Sequence, residues 1–294
     1  MVAEDLIAQT FVNGLLLGGI YAVAALGLSL VFGIMDIVNL AHGHLLMIGG
    51  YVAIILFSLA GVTPLIGMLA AMALLFVVGI VLQKVLLNRV VDEGLEQPII
   101  VLFGVALVFQ NLGRYFLGGN AQSTDIGIPG QAFTIGPVFF SFPRTVTFVV
   151  AVLLVVLTYL FMQYTSTGRA IRATSQNRTA AKYMGIDTER IYVVTLGIGA
   201  ALAGAAGSLL SMLFPIDPFV GWSYLLKAFA VVVLGGVGSI LGTLVGGLLL
   251  GVSENLGALY LGGSYRDIVV FTIFLFVLLV KPEGLFGGSG GGGH

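Results

Sequence analysis

The sequence predicts an all-α polytopic membrane protein of about eight membrane segments, with glycine-interrupted (broken or re-entrant) segments near residues 33–50 and 232–251. Three observations predict it. Of the 294 residues, 59% are hydrophobic and only 9% are charged, against about 25% charged in ordinary soluble domains. Mean hydropathy is +1.12, more apolar surface than a water-solvated core can hide, so the solvent for most of the chain is a bilayer. The third observation is glycine, 43 residues of it, which in a membrane protein implies close helix–helix approach and deliberately broken helices.

A membrane helix needs about 20 mostly apolar residues. Segments meeting that length run near 9–33, 38–60, 63–87, 98–118, 145–164, 191–213, 225–260 and 266–281. The seventh is too long for one ordinary crossing. Gly235, Gly236, Gly238 and Gly242 interrupt it, so it reads as a short descending half-helix, a turn and a longer return. The acidic N-terminus, "MVAEDLIAQTFVNGLLLGG", does not read as a cleavable signal peptide. "GGSGGGGH" (287–294) reads as a linker and tag remnant, leaving residues 1–287 as one transmembrane domain.

Orientation follows the cations. Five of the 12 Lys and Arg lie in "GRAIRATSQNRTAAKYMGIDTER" (168–190): Arg169, Arg172, Arg178, Lys182 and Arg190. That places the 165–190 loop in the cytoplasm. Two crossings earlier, Lys84 and Arg89 fall on the same side. The 119–144 loop, with Arg144 as its one cation, and "FPIDPFVGW" (214–222) then lie outside. Lys281 favours an inner C-terminus, and the side of the N-terminus stays open.

Within the cationic loop, Asn177 is suited to an N-cap and Gly185 to a C′ position. They bracket "RTAAKYM", roughly 10 Å of helix. So short a helix is marginal in water and needs a surface to pack on. Spacing puts Ala180, Ala181 and Met184 on one face. Either this loop lies on lipid headgroups or it docks on a protein partner; the two caps and the mixed alanine and charged face favour a partner. The candidate docking residues are Arg172, Arg178, Ala180, Ala181, Met184, Gly185 and Asp187.

Polar groups in hydrocarbon tend to mark a route. "GIMDIVNLAHGHLLMIGG" gathers Asp36, Asn39, His42 and His44 among glycines, and Asn39 and His42 share a helical face. A broken helix exposes free backbone groups, and a half-helix N-terminus attracts carboxylates. Asn39, His42 and Gly43 are therefore candidates to line a translocation pathway, with Gly235, Gly236 and Gly238 as the counterpart break. The other reading is structural: Asn39 and His42 satisfy backbone released by the glycines, and the glycines serve helix packing. Gly242–Gly246 and Gly247–Gly251 have the GxxxG spacing that such packing uses. Lys227 and Glu254 read as interfacial, with Glu254 facing a polar gap or a partner subunit as the second option.

"GRAIRATSQNRTAAKYMGID" resembles the cytoplasmic coupling loop of branched-chain amino acid ABC importer permeases, the LivH-type family. Its Ala180-Ala181 pair followed by Gly185 is similar to the helix by which such permeases seat in an ATPase cleft. Thr179 stands where the wider importer signature has an acid. "GIMDIVNLAHGHLLMIGGY" (33–51), "VVLGGVGSILGTLVGGLLLG" (232–251) and "LLVKPEGLFG" (278–287) resemble the same family, so the likeness spans about 9–287. It implies a multi-pass protein of a bacterial inner membrane, paired with a second related permease, two cytoplasmic ATP-binding-cassette ATPases and an external substrate-binding protein. It further implies that ATP hydrolysis belongs to those partners, with no catalytic role and no cofactor in this chain.

Other classes find less support. No GxxxxGK[ST] motif is present, so the chain has no P-loop of its own. The spans lack the series of buried acids and histidines a proton relay needs, although ion coupling through broken-helix carbonyls stays open. No paired intramembrane carboxylates, HExxH or Ser/His/Asp arrangement points to an enzyme. Two His and one Asp make a poor metal set, cysteine is absent, and a net charge of −1 argues against nucleic acid. Family resemblance leaves the cargo open between branched-chain amino acids and urea or short amides.

Overall fold

The structure, a computed structural model, describes residues 2–91, 93–94, 96–123, 132–136, 138–281 and 283–286. Its helices are α1 (Val2–Met35), α2 (His42–Ala60), α3 (Pro64–Val85), α4 (Glu96–Leu117), α5 (Phe142–Tyr164), α6 (Ser166–Gln176) and α7 (Arg178–Tyr183). They continue with α8 (Thr188–Ser211), α9 (Val220–Gly235), α10 (Ile240–Leu261) and α11 (Arg266–Val280). Among the described residues, eight helical segments are long and apolar enough to cross a membrane. The ninth apolar helix, α9, has 16 residues and is too short. The fold class is all-α and polytopic, with a single small antiparallel hairpin, β1 (Ala132–Ile135) on β2 (Val138–Ser141), among the described residues. The hairpin was not foreseen in the Gly- and Pro-rich 119–144 loop. The tail at 287–294 and parts of the 91–97 and 119–144 loops lie outside the described residues.

Helices α1 and α8 form the centre, each with 89% of its apolar window buried, while α4 and α11 form the rim at 11% and 6%. That distribution follows from side-chain size. Gly14 and Gly18 of α1 approach the α10 backbone so closely that a Cβ on Gly18 would lie 2.7 Å from the Gly247 carbonyl oxygen. The two GxxxG pairs on α10 face different neighbours. Gly247 and Gly251 pack on α1, whereas Gly242 and Gly246 pack on the α9 backbone at Gly235 and Val231. Without a hydrophobic drive between helices in lipid, such close van der Waals approach is what holds them.

The ends of the helices settle the threading. Gln9 of α1 donates to the Phe139 carbonyl and accepts from the Phe139 amide at 2.8 and 2.7 Å, so the N-terminus sits at the hairpin's face of the membrane. Gln122 and Ile216 exchange two backbone hydrogen bonds, placing the 214–222 connection on that same face. Crossing by α5 puts α6 and α7 on the opposite face, the cytoplasmic one by its cations. The N-terminus is therefore outside. Leu285 and Phe286 donate backbone hydrogen bonds to Leu234 and Gly235, so the chain beyond α11 returns to the inner end of α9. The 225–260 segment is threaded as its glycines predicted, a short descent and a longer return.

If close packing on glycine holds α1 against α10, Gly247→Val should cost about 1–3 kcal/mol of stability, the scale of overpacking. Gly104→Ala, where a Cβ would meet nothing within 4 Å, should leave stability unchanged. Thermal unfolding of the detergent-solubilised protein, followed by size-exclusion chromatography, measures both.

Candidate functional site

Helix α1 ends at Met35 and the chain doubles back without helical structure over 36–41, opening with Asp36 at φ 54°. Helix α2 starts at His42 in the interior. His42 Nε2 lies 2.7 Å from the Ala24 carbonyl oxygen. A carbonyl only accepts, so Nε2 carries the proton. Ala24 is nine residues before Gly33 on the same helix, about 13 Å along its axis. Gly33 packs against Gly238 in the α9–α10 turn. The start of α2 is thus near mid-bilayer, and the Gly235, Gly236 and Gly238 turn is at the inner end.

That geometry separates the two breaks that the sequence placed as counterparts. The element meeting the start of α2 is the start of α9. Gly43 packs on the Gly221 carbonyl oxygen with no room for a Cβ, and a Cβ on Gly221 would meet the His44 ring. Beside it, His44 and Trp222 stack edge to face at 4.9 Å, and the Trp222 indole donates to Gln110 of α4 at 3.1 Å. Two helix N-termini therefore face each other inside the bundle. Position 235–238 is a turn because Gly236 and Gly238 adopt φ of 93° and 75°, which favour glycine.

Asn39 and His42 are each 1% exposed. Asn39 Oδ1 accepts from the Ala41 amide at 3.1 Å, holding the turn that starts α2. Both side chains thus bond backbone, Asn39 within its own turn and His42 across to α1. Gly43 provides closeness of approach to α9.

The cytoplasmic loop is two helices where one was expected. Thr165 caps α6 by accepting from Gly168, and Asn177 caps α7 by accepting from Ala180 at 2.9 Å. Gly185, at φ 82°, ends α7, and Asp187 caps α8 by accepting from Arg190 at 3.0 Å. Ala181 corrects the predicted docking face. It is 4% exposed, turned toward the protein, and its carbonyl accepts from the Ile186 amide. The outward residues include Thr179, Ala180, Lys182, Tyr183 and Met184, the last two 86% and 82% exposed. Tyr183 was missed, although its i, i+3 relation to Ala180 could have found it. Arg172 donates to Gln163 and Arg178 lies over the Tyr192 ring at 5.0 Å, so both brace the loop against the bundle.

Lys227 and Glu254 are not interfacial. Lys227 Nζ lies 2.9 Å from Glu254 Oε1, their side chains 12% and 4% exposed. Tyr21 donates to Glu254 Oε2 at 2.6 Å, and Asp267 Oδ1 is 3.4 Å from Lys227. Four helices contribute: α1, α9, α10 and α11. The sequence showed each residue but not their convergence, since they are far apart in the chain.

Eight membrane-length helices, a shorter ninth apolar helix packed on the start of α2, and a capped helix pair on the cytoplasmic end define a multi-pass membrane permease. The family model described as branched-chain amino acid transport system / permease component matches residues 10–278, and the chain belongs to that family. The high-affinity branched-chain amino acid transport system permease protein BraD of Pseudomonas aeruginosa is 36% identical over 293 residues, 95% of each chain. The corresponding permease protein LivH of Escherichia coli K12 is 33% identical over 296 residues, again 95% of each. PsaBC from Streptococcus pneumoniae, solved in complex with Fab, shares the fold at TM-score 0.56 and 14% identity, over 97% of this chain and 98% of that one. The chain is a multi-pass permease subunit of the bacterial inner membrane, in the setting of an ABC transporter.

Removing Lys227 strands the Glu254 carboxylate, which keeps only the neutral Tyr21 hydroxyl. Lys227→Met should cost about 3–5 kcal/mol, and adding Glu254→Leu should recover most of it. Thermal unfolding of the single and double variants tests this.

Proposed function

We propose that residues 1–287 act as one permease unit of an ATP-driven importer for amino acids, branched-chain ones among them. In this reading a second related permease completes the pore, two cytoplasmic ATPases supply the energy, and an external binding protein delivers cargo to the outer loops. One observation carries it: α7 is a six-residue helix, capped by Asn177 and ended by Gly185, that presents Tyr183 and Met184 almost fully to solvent. So short a helix with two large apolar side chains exposed is built to be covered. Membership of the permease family supports an ATPase as the cover, and the relatives' names support amino acids as cargo.

The path of force is short. Force on α7 reaches α8 through Ala181, the Ile186 amide and the Arg178–Tyr192 contact. Helix α8 then meets α1 where Gly199 faces Gly27, and α2 where Gly204 and Gly207 face Gly49 and Leu46. These contacts are backbone to backbone, so α8 cannot move without carrying the start of α2. The ATPase must bind the two arrangements with different free energies, since only differential contact shifts an equilibrium.

Met184→Glu should abolish co-purification of the ATPases and binding-protein-stimulated uptake while leaving the permease monodisperse, because residue 184 is 82% exposed. Ala181→Glu should stop uptake differently, by burying an uncompensated carboxylate behind α7. Normal ATPase recovery and uptake with Met184→Glu would refute docking at α7.

A further inference from the structure

The Lys227 cluster lines a cavity of about 390 Å³ between the α8–α9 and α10–α11 connections, on the outer side. Nothing in the coupling scheme uses it. Its chemistry is divided. Lys227 is committed: it meets Glu254 at 2.9 Å, Asp267 at 3.4 Å and the Tyr21 hydroxyl at 3.4 Å, as many partners as an ammonium has donors. Tyr21 in turn holds the second Glu254 oxygen. The buried set is therefore closed on itself and serves to position Asp267.

Outside that set, Asp217, Arg266 and Asp267 border the cavity, and Asp217 already gives its Oδ1 to the Phe219 amide. Asp267 keeps its second oxygen, its side chain 66% exposed. Next to it, Arg266 is exposed and carries a guanidinium whose fork matches a carboxylate. Phe214, Phe219 and Tyr224 supply an apolar wall in the same cavity. A carboxylate acceptor, a guanidinium donor and aromatic surface together describe a small zwitterion with an apolar side chain.

We infer that this cavity is an entry site for an apolar α-amino acid, whose ammonium bonds Asp267 and whose carboxylate bonds Arg266. The inference rests on the importer reading and adds to it a place where the permease itself recognises cargo. A ligand with one charge leaves either Arg266 or Asp267 unanswered, so the site discriminates against simple acids and amines of the same size.

The test uses the assembled transporter in lipid nanodiscs without the external binding protein, with tritiated L-leucine as probe. Unlabelled L-leucine should displace it, whereas 4-methylpentanoate and 3-methylbutylamine, each lacking one charge, should not. Asp267→Asn and Arg266→Gln should each weaken leucine binding at least about tenfold, the scale of a charge-assisted hydrogen bond. Equal competition by either analogue, absence of saturable leucine binding, or unaltered affinity in both variants would overturn the site. If the ATPases still co-purify and binding-protein-driven uptake persists in that case, only this site falls. If no ATPase associates with the wild-type chain, the importer reading falls and takes the site with it.

Discussion

Inside a bilayer, every backbone N–H and C=O must find its partner within the protein, yet this chain starts two helices in the interior of the bundle. Both starts survive because they are packed on each other and on neighbouring helices with no intervening side chain. Gly43 lies on Gly221, and Gly49 and Gly207 bring α2 onto α8. At the α2 start Asn39 takes the freed Ala41 amide, and His42 ties the start to α1 by donating to the Ala24 carbonyl. A Cβ at the contact would separate the elements and leave those groups in a gap that water cannot easily reach.

The same close packing explains how a solvent-exposed helix of six residues can matter to the membrane interior. Helix α7 is held by caps and by Ala181, not by its own length, and it rests on the beginning of α8. Helix α8 is buried along nearly its whole length and meets α1, α2 and α3 through small residues. Tightly packed interfaces of this kind move between discrete arrangements and do not deform continuously. A displacement at the cytoplasmic end has few places to be absorbed before it reaches the start of α2.

Charge is handled by a different device. Lys227 and Glu254 sit where isolated ions would be costly, and they persist as a hydrogen-bonded set with Tyr21 and Asp267. Buried pairs seldom add stability relative to apolar replacements. Their retention in so apolar a chain is more naturally tied to orientation, and here the oriented groups border a cavity between two outer connections.

The spans, their glycine breaks, the gathering of cations on one loop and the caps of α7 were all legible in the sequence. Each depends on local spacing: apolar runs of membrane length, Asn177 and Gly185 bracketing one turn and a half, cations gathered on one loop. Family membership was legible for the same reason, through contiguous motifs. What only the tertiary structure decided were facts about distant residues meeting. The close neighbour of the α2 start is Gly221, a residue far along the chain that no local spacing in either segment points to. Ala181 turned inward, because a short helix is oriented by what backs it. Lys227 found Glu254 across 27 positions, since a contact between helices is set by their packing angles and leaves no periodic trace in either one.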